Sequence, residues 1–230
     1  MTEYDFNIRG QLFLKEVFKP NLVDSFNNEI KIFMNDNNIY GLLNKKEDEN
    51  MGIFYVNNTY SLLNSYHKIQ HYYIPVIDNR GTRDRKTDIG LIDIYNADKL
   101  LPNIMNYFDI NLIQIILNKI TGSNWKLLRT NIQICNNVTN PNSFHFENIN
   151  KCLKFCIYLS DVIDNNGALV YIERTHEIKN DIKREHIKTF NGHRGDALIS
   201  FQNGFHRKMP QNNCVNAFLV FNFIEVKKNF

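Results

Sequence analysis

Apolar and polar positions alternate most clearly from Trp125 onward. Over 126–135, Leu127, Arg129, Asn131 and Gln133 interleave with Leu128, Thr130, Ile132 and Ile134. A period of two marks a β-strand with one set of side chains on each face. The spacing predicts a first barrel strand here. Further strands are expected near 143–148, 152–160, 168–173, 187–190, 196–202, 205–209 and 214–224, separated by Asn-Gly and Pro-Asn turns. Short strands in such a series suit a closed or sandwiched barrel.

The first half reads differently. Leu22, Val23, Phe26, Ile30, Phe33 and Met34 keep helical spacing behind Asn21, a reasonable N-cap. A second helix is expected over 109–120, carrying Leu112, Ile113, Ile115, Ile116 and Ile120. Residues 1–20 suggest a short strand followed by a helical turn, and the polar stretch 35–50 a loop. Together the two halves predict a mainly β protein with some α. Its core would be a double-stranded β-helix (jelly roll, cupin-like) over 125–226, with an N-terminal helical layer and substrate-side loops over 1–124. The whole of 1–230 would form one domain.

Composition narrows the function only a little. A net charge of +3 is too small to argue for nucleic acid. No stretch has the length of a membrane span or the apolar run of a signal peptide. Cys135, Cys152, Cys156 and Cys214 sit in apolar, strand-like contexts without metal-type spacing, which suggests buried free thiols and a cytoplasmic protein. Roughly one residue in six is Asn, but these are spread among apolar residues, which points to coding bias rather than a low-complexity tract. The basic segment 78–86 is either a solvated loop or an arm for an anionic group. His67 and His71 could share a helix face, more simply as a core or pocket wall than as a metal pair.

The candidate chemistry lies between His145 and His206. His145 and Glu147 are two apart and can aim at one point from a strand. His206 would complete a set of two imidazoles and one carboxylate. That is the facial triad of non-haem Fe(II) oxygenases, which leaves coordination positions open. Spacing alone favours the blander reading, a surface His and a solvated Glu.

The surrounding text adds to it. Residues 152–161 (Cys-Leu-Lys-Phe-Cys-Ile-Tyr-Leu-Ser-Asp) lead into 164–176, with Asn166-Gly167-Ala168-Leu169 and Thr175-His176, and then Gly195-Asp196-Ala197-Leu198-Ile199-Ser200-Phe201 before the distal His. Over roughly 88–224 this order resembles the phytanoyl-CoA dioxygenase family of Fe(II)/2-oxoglutarate oxygenases. The resemblance implies that His145, Glu147 and His206 are the metal ligands and catalytic centre, with Fe(II) as metal, 2-oxoglutarate as co-substrate and O2 as oxidant. It implies a small-molecule substrate; charge and the lack of an apolar span lead us to expect neither nucleic acid nor membrane as partner, and the oligomeric state is not legible.

Two departures stand out. Glu147 replaces the commoner Asp, keeping the charge on a longer arm. Relatives usually place an Arg about ten residues after the distal His to hold the far carboxylate of 2-oxoglutarate, and here Asn216 or Ala217 stands there. Lys154, Arg129 and Asn131 are therefore the candidates for binding the co-substrate. Lys154 could instead face outward, and Arg129 could serve a structural ion pair. Arg207 should point away from the metal, His176 lie in a loop near the site, Arg174 reshape its entrance, and His193 and Arg194 face solvent. Two other functions fit the same residues: an Fe(II) cupin-like oxygenase or isomerase that does not use 2-oxoglutarate, and a metal-free jelly-roll binding module.

Overall fold

Period-two alternation folds here as two facing antiparallel sheets. The structure, a computed structural model, describes residues 3–36, 52–56, 59–63, 76–79, 87–147, 151–178 and 182–226. The described residues hold strands β1 (Gln11–Leu14), β2 (Gly52–Val56), β3 (Thr59–Leu63), β4 (Val76–Asn79), β5 (Leu91–Tyr95) and β6 (Trp125–Asn136). They continue with β7 (Cys152–Tyr158), β8 (Leu169–Ile172), β9 (Ile187–Phe190), β10 (Ala197–Phe201), β11 (His206–Lys208) and β12 (Val215–Glu225). Four α-helices accompany them: α1 (Glu3–Arg9), α2 (Pro20–Asp36), α3 (Ile104–Tyr107) and α4 (Ile110–Thr121).

The large sheet has the order β1-β10-β7-β12-β6-β5-β4-β2-β3, and the small one β11-β8-β9. From β6 onward the chain passes back and forth between them, which is the winding of a double-stranded β-helix. A single antiparallel bridge, His145 to His206, joins the chain at His145 to the small sheet in place of the full strand expected over 143–148. Strands β1 to β5 widen the large sheet well beyond the barrel strands, so the stretch 1–124 contributes strands as well as helices. At the N-terminus helix precedes strand, the reverse of the expected order. The reason is tertiary: β1 is held by pairing with β10, from Gln11 opposite Ser200 to Leu14 opposite Ala197.

One face of the large sheet packs on the helices. Leu153, Phe155 and Ile157 of β7, Ile199 of β10, and Leu219, Phe221 and Phe223 of β12 are buried there. They meet Val23, Phe26, Ile30 and Met34 of α2, spaced three and four apart along one stripe. Helix α2 starts at Pro20, one residue before the expected cap, because proline's fixed φ suits the first helical position. Helix α4 is closed at both ends. The Asp109 carboxylate accepts from the amides of Asn111 and Leu112, and Gly122 takes the left-handed conformation (φ 68°) that ends it. Cys135, Cys152 and Cys156 are buried and all four cysteines are free thiols. Among the described residues no helix is long and apolar enough to cross a membrane.

Candidate active site

The other face of the same strands turns toward the small sheet. There the pleat presents Arg129, Asn131 and Gln133 from β6, Lys154 and Cys156 from β7, and Val220 and Asn222 from β12. With His206 and Lys208 of β11 they line a cavity of about 110 Å³. Alternation therefore settles the question left open for Lys154: it points inward, beside Cys156.

Backbone pairing brings the candidate ligands together. The His145 amide donates to the His206 carbonyl (3.1 Å), the His206 amide donates back (2.9 Å), and the Glu147 amide donates to Gln202 (3.0 Å). The two imidazole centroids lie 4.7 Å apart. Phe146 and Phe205, which alternate with the ligands, meet edge-on at 5.1 Å. Each imidazole is fixed in the same way. Nδ1 of His145 lies 2.9 Å from the Ser143 carbonyl, and Nδ1 of His206 lies 2.9 Å from that of Gly204. A carbonyl can only accept, so this network assigns the proton to Nδ1 and leaves the Nε2 lone pair as the donor toward a metal. Gly204 has room only for hydrogen, since a Cβ there would collide with the Tyr171 hydroxyl.

Lys154 stands in the middle. Its ammonium donates to Glu147 Oε1 at 2.7 Å and lies 3.4 Å from His206 Nε2. Burial pushes the Glu147 carboxyl up, but the charge and hydrogen bond of Lys154 outweigh burial and hold it down at about 2. Burial, with the charges of Lys154 and His145, lowers His206 to about 3. The carboxylate is thus ionised and the His206 imidazole neutral at physiological pH, the protonation states a divalent metal requires. Glu147 Oε2 is buried without a hydrogen-bond partner among the described residues.

The donor set, the locked tautomers and the orphaned oxygen fit a metal ion. The side chains as they stand do not enclose one: among the described residues no three His, Cys, Asp or Glu are gathered tightly enough to hold it. Lys154 stands among them, its ammonium against two of the three candidate ligands.

The remaining candidates divide clearly. Arg129 faces the cavity with its guanidinium 5.2 Å from the Tyr95 ring centre, and its Nε has no hydrogen-bond partner among the described residues. Asn131 is buried beside it with Oδ1 likewise unmatched. Asn216 donates to the Asn166 carbonyl (2.8 Å) and so braces the turn before β8. Arg207 lies over Phe144, 4.5 Å from its centre, at the cavity margin. His176 departs from expectation. It stacks on Phe201 (4.8 Å, 7°) in a second cavity beside Trp125, on the helix side of the sheet. Arg174 occupies the left-handed region (φ 69°), and its amide donates to the Arg9 carbonyl. His193 is exposed, 3.5 Å from Asp161. Residues 80–86 of the basic segment, and His67 and His71, lie outside the described residues.

Sequence reasoning missed two features. The Asp88 carboxylate accepts from the amide and side chain of Asn142 (3.0 and 2.7 Å), tying together two loops that line the cavity. Lys208 also lines it, and its signal was available: it is two residues beyond His206 on one strand, hence on the same face.

No family model matches this chain, and no curated protein matches it. Solved structures share its fold. AviO1 from Streptomyces viridochromogenes Tue57 superposes with a TM-score of 0.62 at 12% identity, over 97% of this chain and 93% of that one. The non-haem alpha-ketoglutarate-dependent epimerase SnoN from nogalamycin biosynthesis gives 0.66 at 9% identity, over 96% and 80%. EctD from S. alaskensis, with bound Fe, gives 0.62 at 10% identity, over 96% and 75%. At these identities the likeness shows the fold alone, a double-stranded β-helix.

Proposed function

We propose that this protein is a non-haem Fe(II) oxygenase of the phytanoyl-CoA dioxygenase-like group, using 2-oxoglutarate and O2 to oxidise a small molecule. One observation carries this reading. His145, Glu147 and His206 are zipped side by side, with both imidazoles locked to present Nε2 and a carboxylate oxygen left unmatched, in the cavity of a double-stranded β-helix. A structural neighbour, SnoN, has been solved with Fe3+, alpha-ketoglutarate and nogalamycin RO.

Fe(II) at this centre would couple decarboxylation of 2-oxoglutarate to oxidation of a substrate C–H bond. The chain's own residues do the rest. The two imidazoles and the carboxylate would hold the ion and leave the cavity side open. Lys154, once turned off Glu147, remains a cation beside that open side. With Arg129 and Asn131 it can hold an anionic keto acid there. The aliphatic and aromatic wall of Leu91, Tyr95, Leu169 and Val220 limits water around the reacting groups.

Anaerobic loading with Fe(II) and then 2-oxoglutarate tests the reading. A visible charge-transfer band that needs both components is the expected result, together with loss of stoichiometric Fe(II) in folded His145→Ala. Undiminished turnover in that variant would sink the proposal. Asn216 at the usual Arg position favours a second reading, in which the iron chelates its substrate directly; coupled formation of succinate excludes it. The Lys154–Glu147 pair favours a third, a metal-free binding module, which retention of one Fe(II) per chain excludes.

A further inference from the structure

We infer that Lys208 binds the remote carboxylate of the keto acid, replacing the cation absent at Asn216; this rests on the 2-oxoglutarate reading above. Four cations line the cavity, Arg129, Lys154, Arg207 and Lys208, against the carboxylates Asp88 and Glu147. Asp88 is engaged by Asn142. Two of the cations belong to the metal end. Lys154 is bonded to Glu147, and Arg129 is close enough to bias the same carboxyl. Arg207 lies over Phe144.

Lys208 occupies another part of the wall. It follows His206 on the same face of β11, two residues further along, roughly 6.6 Å at strand rise. Its ammonium lies 2.9 Å from Cys135 Sγ and 4.8 Å from the centre of the Phe218 ring. Cys135 is the cross-strand partner of Asn216. The lysine therefore reaches, from the opposite sheet, the end of the barrel where Asn216 carries no charge. Leu91, Cys156, Leu198 and Val220 line the same cavity. Among the described residues no carboxylate pairs with the lysine. Asp93, on neighbouring β5, is approached instead by the Tyr95 hydroxyl at 3.5 Å. Burial raises the Cys135 thiol's pKa, so this partner leaves the ammonium's charge uncancelled. A half-buried cation whose polar partner is a thiol is short of an anion, and a carboxylate supplies it.

The test compares two keto acids on anaerobic Fe(II)-loaded protein, read by the charge-transfer band and by calorimetry. 2-Oxoglutarate carries the remote carboxylate and 2-oxobutyrate lacks it. Wild type should bind the first more tightly. In Lys208→Met that preference should fall by about tenfold to a hundredfold, the range for a lost charged hydrogen bond. 2-Oxobutyrate and Fe(II) should bind as before, and Lys208→Arg should restore part of the preference. Equal binding of both acids by wild type overturns the assignment even if the Met variant does not fold. So does an unchanged preference in Lys208→Met, or an equal loss for both acids. No band with either acid in wild type overturns the keto-acid reading, and this assignment with it.

Discussion

The two faces of the large sheet are built from alternate residues of the same strands, yet they serve different ends. On the helix side, Leu153, Phe155 and Ile157 of β7 and Leu219, Phe221 and Phe223 of β12 are hydrocarbon, and all are buried. On the barrel side the same strands show Lys154, Cys156 and Tyr158, then Phe218, Val220 and Asn222. Stability is concentrated on one face, which frees the other to hold charges and unmatched polar atoms. The difference predicts two separable classes of substitution.

The largest effect expected is at the centre of the barrel face. Glu147→Gln removes the only anionic member of the candidate ligand set while keeping its shape. We expect loss of stoichiometric Fe(II) and of all turnover in a protein that still folds, measured by metal analysis and circular dichroism. Retained iron at wild-type affinity would remove Glu147 from the ligand set. Next comes the opposite face. Phe221 is fully buried, so Phe221→Ala should cost about 3–5 kcal/mol. In a chain of this length that lowers Tm by roughly 6–20 °C. The folded fraction should still bind Fe(II) normally; a parallel loss of metal affinity would show that the faces are not independent.

How far the sequence reveals each face follows from where the information resides. Alternation is local, so strands β6 to β12 were legible to within about two residues. The pairing of β1 with β10, and the addition of β5 and β4 beside β6, depends on partners far along the chain. No local pattern contains it. The candidate ligands were legible because their spacing and flanking strands occur together. The position of Lys154 between them was not, because a long side chain's direction is decided by what surrounds it. Lys208 differs: the alternation that groups His145 with Glu147 also groups His206 with Lys208, so its place on the cavity wall is implicit in the sequence.

A smaller effect follows from that position of Lys154. A metal ion entering the site displaces an ammonium already bonded to Glu147. In Lys154→Met nothing has to be displaced, so Fe(II) should bind more tightly. A gain of up to about fivefold is expected for one partly exposed charged contact. The same variant should bind 2-oxoglutarate more weakly. Direct titration with Fe(II) under nitrogen checks the first change, and weaker metal binding would mean that Lys154 orients Glu147 rather than competing for it.

The smallest effect distinguishes the faces by pH. Burial, with Lys154 and His145 nearby, lowers the His206 pKa from the ordinary 6.5 to about 3. Above pH 6.5 the ring is neutral in both folded and unfolded chains and contributes no pH dependence. Below it the unfolded chain takes up a proton that the folded chain refuses, so stability falls with pH until about 3. Glu147 acts in a lower window. Its carboxyl is held from 4.5 down to about 2, so its contribution is whole above 4.5 and is lost as pH falls toward 2. The metal-free protein should therefore lose Tm between pH 6.5 and 4.5 through His206, and more steeply below that as Glu147 joins. His206→Gln should flatten the upper part of the curve, whereas Phe221→Ala should lower the whole curve without changing its slope. A wild-type curve that is flat from pH 6.5 to 4.5 would mean that the folded imidazole accepts its proton readily. The barrel face would then be more open to water than the burial of its lining implies.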